Sequence, residues 1–138
     1  MKTLEVNTKN SKKVEKMLKS NKPTIILYYM HGCSHCTALH PTWKETVKVL
    51  EKNKGIDTAE VELGNMVLLP DNIRKNIAGF PTIHILKGGK TVAEYMGDRS
   101  GSSIKEFAEK YADKTVQDGG NKTNVKEKEK KNENKNKK

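Results

Sequence analysis

Residues 24–50 read TIILYYMHGCSHCTALHPTWKETVKVL, and this stretch decides the fold. Thr24–Met30 is a near-continuous apolar run, the pattern of a central strand buried on both faces. From Ser34 to about Asn53, Leu39, Trp43, Val47 and Leu50 recur at helical spacing. Pro41 falls inside that pattern and removes one backbone donor, which predicts a kinked helix. At the junction of strand and helix stands Gly32-Cys33-Ser34-His35-Cys36.

Working outward, Thr3–Val6 reads as a weak first strand, and Ser11 as the cap of a helix to Ser20 with Val14, Met17 and Leu18 on one face. Thr58–Leu63 alternates as a strand with Ala59, Val61 and Leu63 on one side. Gly64–Pro70 sits where a loop is expected, and its apolar Val67–Leu69 either pack into the core or form a partner patch. Asp71 is placed to cap a short helix over Asn72–Ile77, with Gly79 at its exit. Pro81–Leu86, the turn Lys87-Gly88-Gly89-Lys90 and Thr91–Met96 form a hairpin. A last helix follows from about Ser103 to Tyr111, with Ile104, Phe107 and Ala108 inward. The order is βαβαβαββα, an α/β domain.

The 138 residues carry a net charge of +10, unevenly spread. Asp118–Lys138 holds 8 Lys and 4 acids with a single aliphatic residue, Val125. Such a segment buries too little apolar surface to offset its ordering entropy. Residues 1–116 are therefore expected to form one domain and 117–138 a disordered Lys-rich tail. The tail is read as a solubilising extension, with nucleic acid, anionic lipid or acidic proteins as its alternative contacts. Met1–Lys22 mixes Lys with single hydrophobes, unlike a secretory signal, and no run is long enough to span a bilayer. A cytoplasmic monomer is expected, with a virion or the endoplasmic reticulum as alternatives. The Asn- and Lys-rich composition fits an AT-rich genome, such as that of a large DNA virus or a parasite.

Two cysteines cannot make a disulfide scaffold, and their separation by two residues points instead to redox chemistry or to half of a metal site. Separated by two residues in the first turn of a helix, their sulfurs can reach the roughly 2 Å bonding distance of a disulfide. Cys33 at the helix start meets unpaired N–H groups and the positive end of the dipole, which favour its thiolate, the nucleophilic form. Cys36, one turn in and less exposed, is placed to resolve a mixed disulfide by attacking Cys33. No cofactor beyond a redox-active Cys33–Cys36 disulfide is called for.

The surroundings resemble the thioredoxin superfamily, and most closely the catalytic domain of protein disulfide isomerases. The resemblance covers roughly Thr24–Ala112. It rests on Cys33-x-His35-Cys36 with Leu39, Pro41 and Trp43, then Gly79-Phe80-Pro81-Thr82, then Tyr95-x-Gly97-x-Arg99. It implies a central mixed sheet flanked by helices and a cis-proline at Pro81 facing the cysteine pair. It further implies that Gly79, Phe80 and Pro81 bind substrate, the Phe80 backbone pairing with the substrate chain as in strand addition. Arg99 matches an arginine that favours the thiolate of the resolving cysteine; a plain surface arginine is the alternative. His35 matches the isomerase pattern, and an imidazole beside the thiolate stabilises the reduced form, making the disulfide more oxidising. Thioredoxin and disulfide isomerase potentials differ by roughly 90 mV, about 4 kcal/mol.

Two positions depart from that pattern. The family's buried acid, six residues before the first cysteine, is here Leu27, while Glu60 stands where a lysine accompanies that acid. Either Glu60 supplies the carboxylate from the neighbouring strand, or Glu60 and Glu62 both face water. The family's Trp before the first cysteine is Gly32, which leaves the site less shielded. His31, Cys33, Cys36 and His40 could chemically supply four zinc ligands, but strand end and kinked helix would have to converge while Pro81 crowds the sulfurs, so no metal is expected. His84 is expected on a sheet face rather than in a site.

The leading expectation is thus an oxidant or isomerase acting on protein cysteines, recycled by glutathione or a redox partner protein. A thioredoxin-like reductase is the alternative, and a fold used only as a binding module with a nucleic-acid-binding tail is the third reading. A lone catalytic domain is expected to isomerise large misfolded clients poorly.

Overall fold

The computed structural model describes residues 3–115, so the Lys-rich segment 117–138 and its boundary at 116 lie outside the described residues. Within them run β1 (Leu4–Glu5), α1 (Ser11–Lys19), β2 (Thr24–Tyr29), α2 (Ser34–Leu50) and β3 (Asp57–Glu62). A 3-10 helix (Leu63–Leu68) leads to α3 (Asp71–Arg74), β4 (Thr82–Lys87), β5 (Lys90–Glu94) and α4 (Gly101–Tyr111). The sheet order is β1-β3-β2-β4-β5. The β1–β3 and β3–β2 pairs are parallel, and the β2–β4 and β4–β5 pairs antiparallel. This is the mixed-sheet α/β architecture expected from the sequence.

The central position of β2 explains its composition: all six of its residues are buried. Successive side chains point to opposite faces. Ile25, Leu27 and Tyr29 join Ile83 and Ile85 beneath α2 and α4, where Leu39, Trp43, Val47, Leu50, Ile104 and Ala108 complete the core. Ile26 and Tyr28 join Ala59, Val61 and Leu86 on the other face, under Val14, Met17, Leu18 and Ile73. A strand that must fill two cores has no room for the polar half of an amphipathic pattern.

Several local expectations are corrected. Ser11 is the first residue of α1 rather than its cap; Asn10 holds the cap position without a side-chain hydrogen bond to the helix. Asp71 likewise opens α3, which is only one turn long and follows Pro70. Leu63 was expected to share a buried side with Ala59 and Val61, but the chain turns into the 3-10 helix there and leaves it 46% exposed. Of the apolar run Val67–Leu69, Leu69 is buried and Leu68 packs against the core, while Val67 is exposed. Pro41 lies inside α2, as the helical spacing placed it, and the helix runs from Ser34 to Leu50. The last helix begins two residues early, at Gly101, because the Ser100 side chain accepts the Ser103 N–H as its cap.

Candidate active site

The turn from β2 into α2 is set by Gly32, whose φ of 83° lies in the left-handed region that glycine adopts without steric cost. A Cβ at this position would meet no atom within 4 Å. The reason for glycine in place of a bulky residue is therefore backbone conformation. Glu62, at the end of β3, anchors the same turn: its carboxylate accepts the His31 N–H at 3.2 Å and the Gly64 N–H at 2.7 Å. Those two bonds, Gly64's first, hold the Glu62 carboxyl below its ordinary value.

Cys33 then occupies the N-cap of α2, and its Sγ accepts the Cys36 N–H at 3.1 Å. Sulfur here does what a serine or aspartate oxygen does in other caps, satisfying an orphan donor of the first turn. The Cys33 thiol is held below the ordinary thiol range, most of all by its hydrogen bond with the Cys36 thiol. The backbone N–H groups of Cys36 and His35 and the charge of Arg99 act in the same direction, against partial burial. Cys36 is buried, and burial pushes its thiol up; the neighbouring Cys33 sulfur adds to this, while Arg99 opposes it. The two free thiols are thus made unequal by position alone.

Across from the sulfurs lies the loop before β4. The Phe80–Pro81 peptide is cis, and the Cys33 thiol faces the Phe80 carbonyl oxygen, 3.9 Å from Sγ. The Thr82 hydroxyl donates to Gly79 O at 2.6 Å, tying down the start of the strand. Beside it, Leu39, Pro81, Ile83, Tyr95, Met96 and Arg99 line a cleft of about 210 Å³, where Met96 is 82% exposed. Arg99 is exposed and reaches both sulfurs through its charge. His35 is exposed in the first turn of α2 and bears on Cys33 through its backbone N–H.

Glu60 does not face water. It pairs in register with Leu27 and shares its face of the sheet, beneath α2. Its Oε1 accepts the Trp43 indole N–H at 3.0 Å, and its Oε2 lies 3.3 Å from His40 Nε2. His40 in turn lines a second cleft, of about 130 Å³, together with Tyr29, His31 and Cys36. From the sequence, His40 is offered only as a zinc ligand and Glu62 only as an acid facing water; the helical i,i+4 spacing of Cys36 and His40 is the signal that links them. His84 is buried in the sheet, edge-on to Tyr28 at 5.2 Å and 3.6 Å from Glu94. Among the described residues no group of three or more His, Cys, Asp or Glu side chains is placed to hold a metal ion.

Known proteins resemble this chain over most of its length. Protein disulfide-isomerase 2-3 of Arabidopsis thaliana is 31% identical over 95 residues, 69% of this chain and 21% of that protein. Protein disulfide-isomerase like 2-2 of the same plant is 29% identical over 103 residues, 75% of this chain and 22% of that protein. The chain therefore spans about a fifth of the length of these relatives. The crystal structure of the J-Trx1 fragment of ERdj5 superposes with a TM-score of 0.64 at 27% identity, covering 78% of this chain and 50% of that one. The thioredoxin family model matches residues 3–110, from just before β1 almost to the end of α4. With the match spanning the whole sheet and the helix that carries the cysteines, this chain belongs to the thioredoxin family.

Proposed function

We propose that this domain is a thiol–disulfide oxidoreductase acting on protein cysteines, with Cys33 as the exchanging sulfur and Cys36 as the resolving one, and that it works as an oxidant or isomerase. The observation that carries the reading is the inequality of the two thiols: Cys33 caps α2 and is held low, while Cys36 is buried and held high. In the oxidising direction a substrate thiolate attacks Cys33 Sγ of the Cys33–Cys36 disulfide. Cys36 leaves as a thiolate and takes up a proton, and a second substrate thiolate then displaces Cys33. The substrate loses two electrons and gains a disulfide; the domain is reduced to its dithiol. Every factor that favours the Cys33 thiolate makes it a better leaving group and the disulfide a stronger oxidant. Glutathione disulfide or a partner protein would regenerate it.

Phe80 and Pro81 are the proposed seat of the substrate chain, since the Phe80 carbonyl already faces Cys33 Sγ and the adjoining cleft leads past Arg99. A peptide running beside Phe80 as an added strand would bring its own cysteine to that sulfur. The test is trapping: Cys36→Ser should accumulate a mixed disulfide between Cys33 and a cysteine-containing peptide, and Cys33→Ser should accumulate none. Equal trapping by the two variants would reverse or abolish the assigned roles.

A further inference from the structure

We propose that His40, oriented by Glu60, is the proton acceptor and donor of Cys36 across the cleft that their side chains share. The inference rests on the redox reading above and adds the group that the sequence lacks at Leu27. Cys36 and His40 are four residues apart on α2, so they lie on one face with Cβ atoms about 5–6 Å apart. Both line the cleft of about 130 Å³. Water occupies roughly 30 Å³ per molecule in the liquid, so this space accommodates a bridging water between thiol and imidazole.

The surroundings orient the ring for that role. Glu60 Oε2 stands 3.3 Å from His40 Nε2, and the Trp43 indole N–H fixes the other Glu60 oxygen at 3.0 Å. A carboxylate only accepts, so Nε2 carries the proton toward Glu60 and Nδ1 is left as the lone-pair nitrogen. Tyr29 packs against the ring with centroids 5.1 Å apart, and its hydroxyl is occupied in donating to Glu5 at 3.0 Å. Besides Cys36 and His40, the cleft is lined by the titratable Tyr29 from β2 and His31 from the preceding turn, and the charged groups acting on that lining are Glu60 and Glu62 from β3, Glu5 from β1 and, on the Cys36 side, Cys33 and Arg99. Burial raises Cys36, so its thiol needs an acceptor before it can attack.

The step balances. When a mixed disulfide on Cys33 is resolved, the Cys36 S–H proton passes through water to His40 Nδ1. The Cys36 thiolate then forms the bond to Cys33 Sγ, and the bond from Cys33 to the departing sulfur breaks. The departing thiolate carries away the electron pair, and Cys33 and Cys36 are together oxidised. In the oxidising direction the same imidazole returns the proton to Cys36 as it leaves.

The experiment mixes the reduced protein with glutathione disulfide and quenches with acid at intervals, following the glutathionylated Cys33 intermediate by mass. For the native protein, resolution should accelerate as the imidazole passes from its protonated to its neutral, proton-accepting form. His40→Gln, which can still bond Glu60, should slow resolution by about tenfold or more at neutral pH and remove that acceleration. Added imidazole should restore part of the rate in His40→Ala. Glu60→Gln, leaving His40 in place but unanchored, should slow resolution less than His40→Gln. A native rate and pH profile in His40→Gln overturns the inference while leaving the redox reading intact. Failure of native Cys33 to form the intermediate at all overturns the redox reading, and this inference with it.

Discussion

Leu27 lies opposite Glu60 in the parallel β2–β3 ladder, so a buried carboxylate sits one strand away from the apolar position beneath α2. Its two oxygens are engaged by the Trp43 indole and by His40. A charge in this position is tolerated only because it is bonded. Glu60→Ala should strand the buried Trp43 N–H and cost about 1–3 kcal/mol of stability. Glu60→Gln, whose amide oxygen still accepts, should cost less. Urea unfolding of both variants checks this; a Glu60→Ala midpoint equal to the native one would show that the Trp43 bond contributes nothing.

Arg99 should be felt at both sulfurs. Its charge favours each thiolate from the exposed rim of the site. Arg99→Gln should move the alkylation profile of Cys33 toward higher pH and slow its reaction with iodoacetamide at pH 7 by about two- to fivefold, the scale of an exposed charge interaction. High salt should shrink the difference between native protein and variant. Profiles that coincide at low salt would make Arg99 an ordinary surface residue.

Gly32 provides a separate test of the turn. An alanine at this position would have space for its Cβ but would have to hold a left-handed φ. Gly32→Ala should therefore cost about 1–3 kcal/mol. Gly79→Ala, in equally open space and without a left-handed φ, should stay within about 0.5 kcal/mol. Thermal unfolding distinguishes them, and equal midpoints would contradict the backbone argument.

His84 predicts a pH dependence of folding. Burial holds its imidazole below the ordinary range, outweighing the raising effect of Glu94. As pH falls below about 6.5 the unfolded chain takes up the proton first, so stability declines with acidification until the folded state also protonates. Above that window His84 contributes no pH dependence. His84→Phe should flatten this part of the curve, seen as a smaller change in urea midpoint between pH 7.5 and 5.5. An unchanged slope would assign the acid sensitivity elsewhere.

Much of the fold was legible because its deciding residues have one physical interpretation. An apolar run such as Ile25–Tyr29 can be satisfied only between two packed layers, and a cysteine at a helix start can act as its cap. Leu63 was misplaced because alternation continues through it, while the exit into a 3-10 helix depends on Glu62 bonding the Gly64 N–H. The expected loop at Gly64–Pro70 hid that helix for the same reason. At the site, Cys33, Cys36 and Phe80 come together as the spacing and motifs suggested. Strand periodicity does not distinguish a solvent face from a second buried one, so it leaves both orientations open to Glu60. His40 was hidden by its neighbours: between Leu39 and Pro41 it has the look of an exposed helical residue, and only the fold sets it over Glu60.

The central claim is that Cys33 and Cys36 form an oxidising redox pair, and equilibration in glutathione buffers tests it most directly. The fraction of Cys33–Cys36 disulfide, read by mass after acid quench and alkylation, gives the reduction potential. A value near −180 mV, about that of protein disulfide isomerase, is the expected result. A value near −270 mV, about that of thioredoxin, would contradict the proposed direction, and a pair that never forms the disulfide would contradict the claim itself.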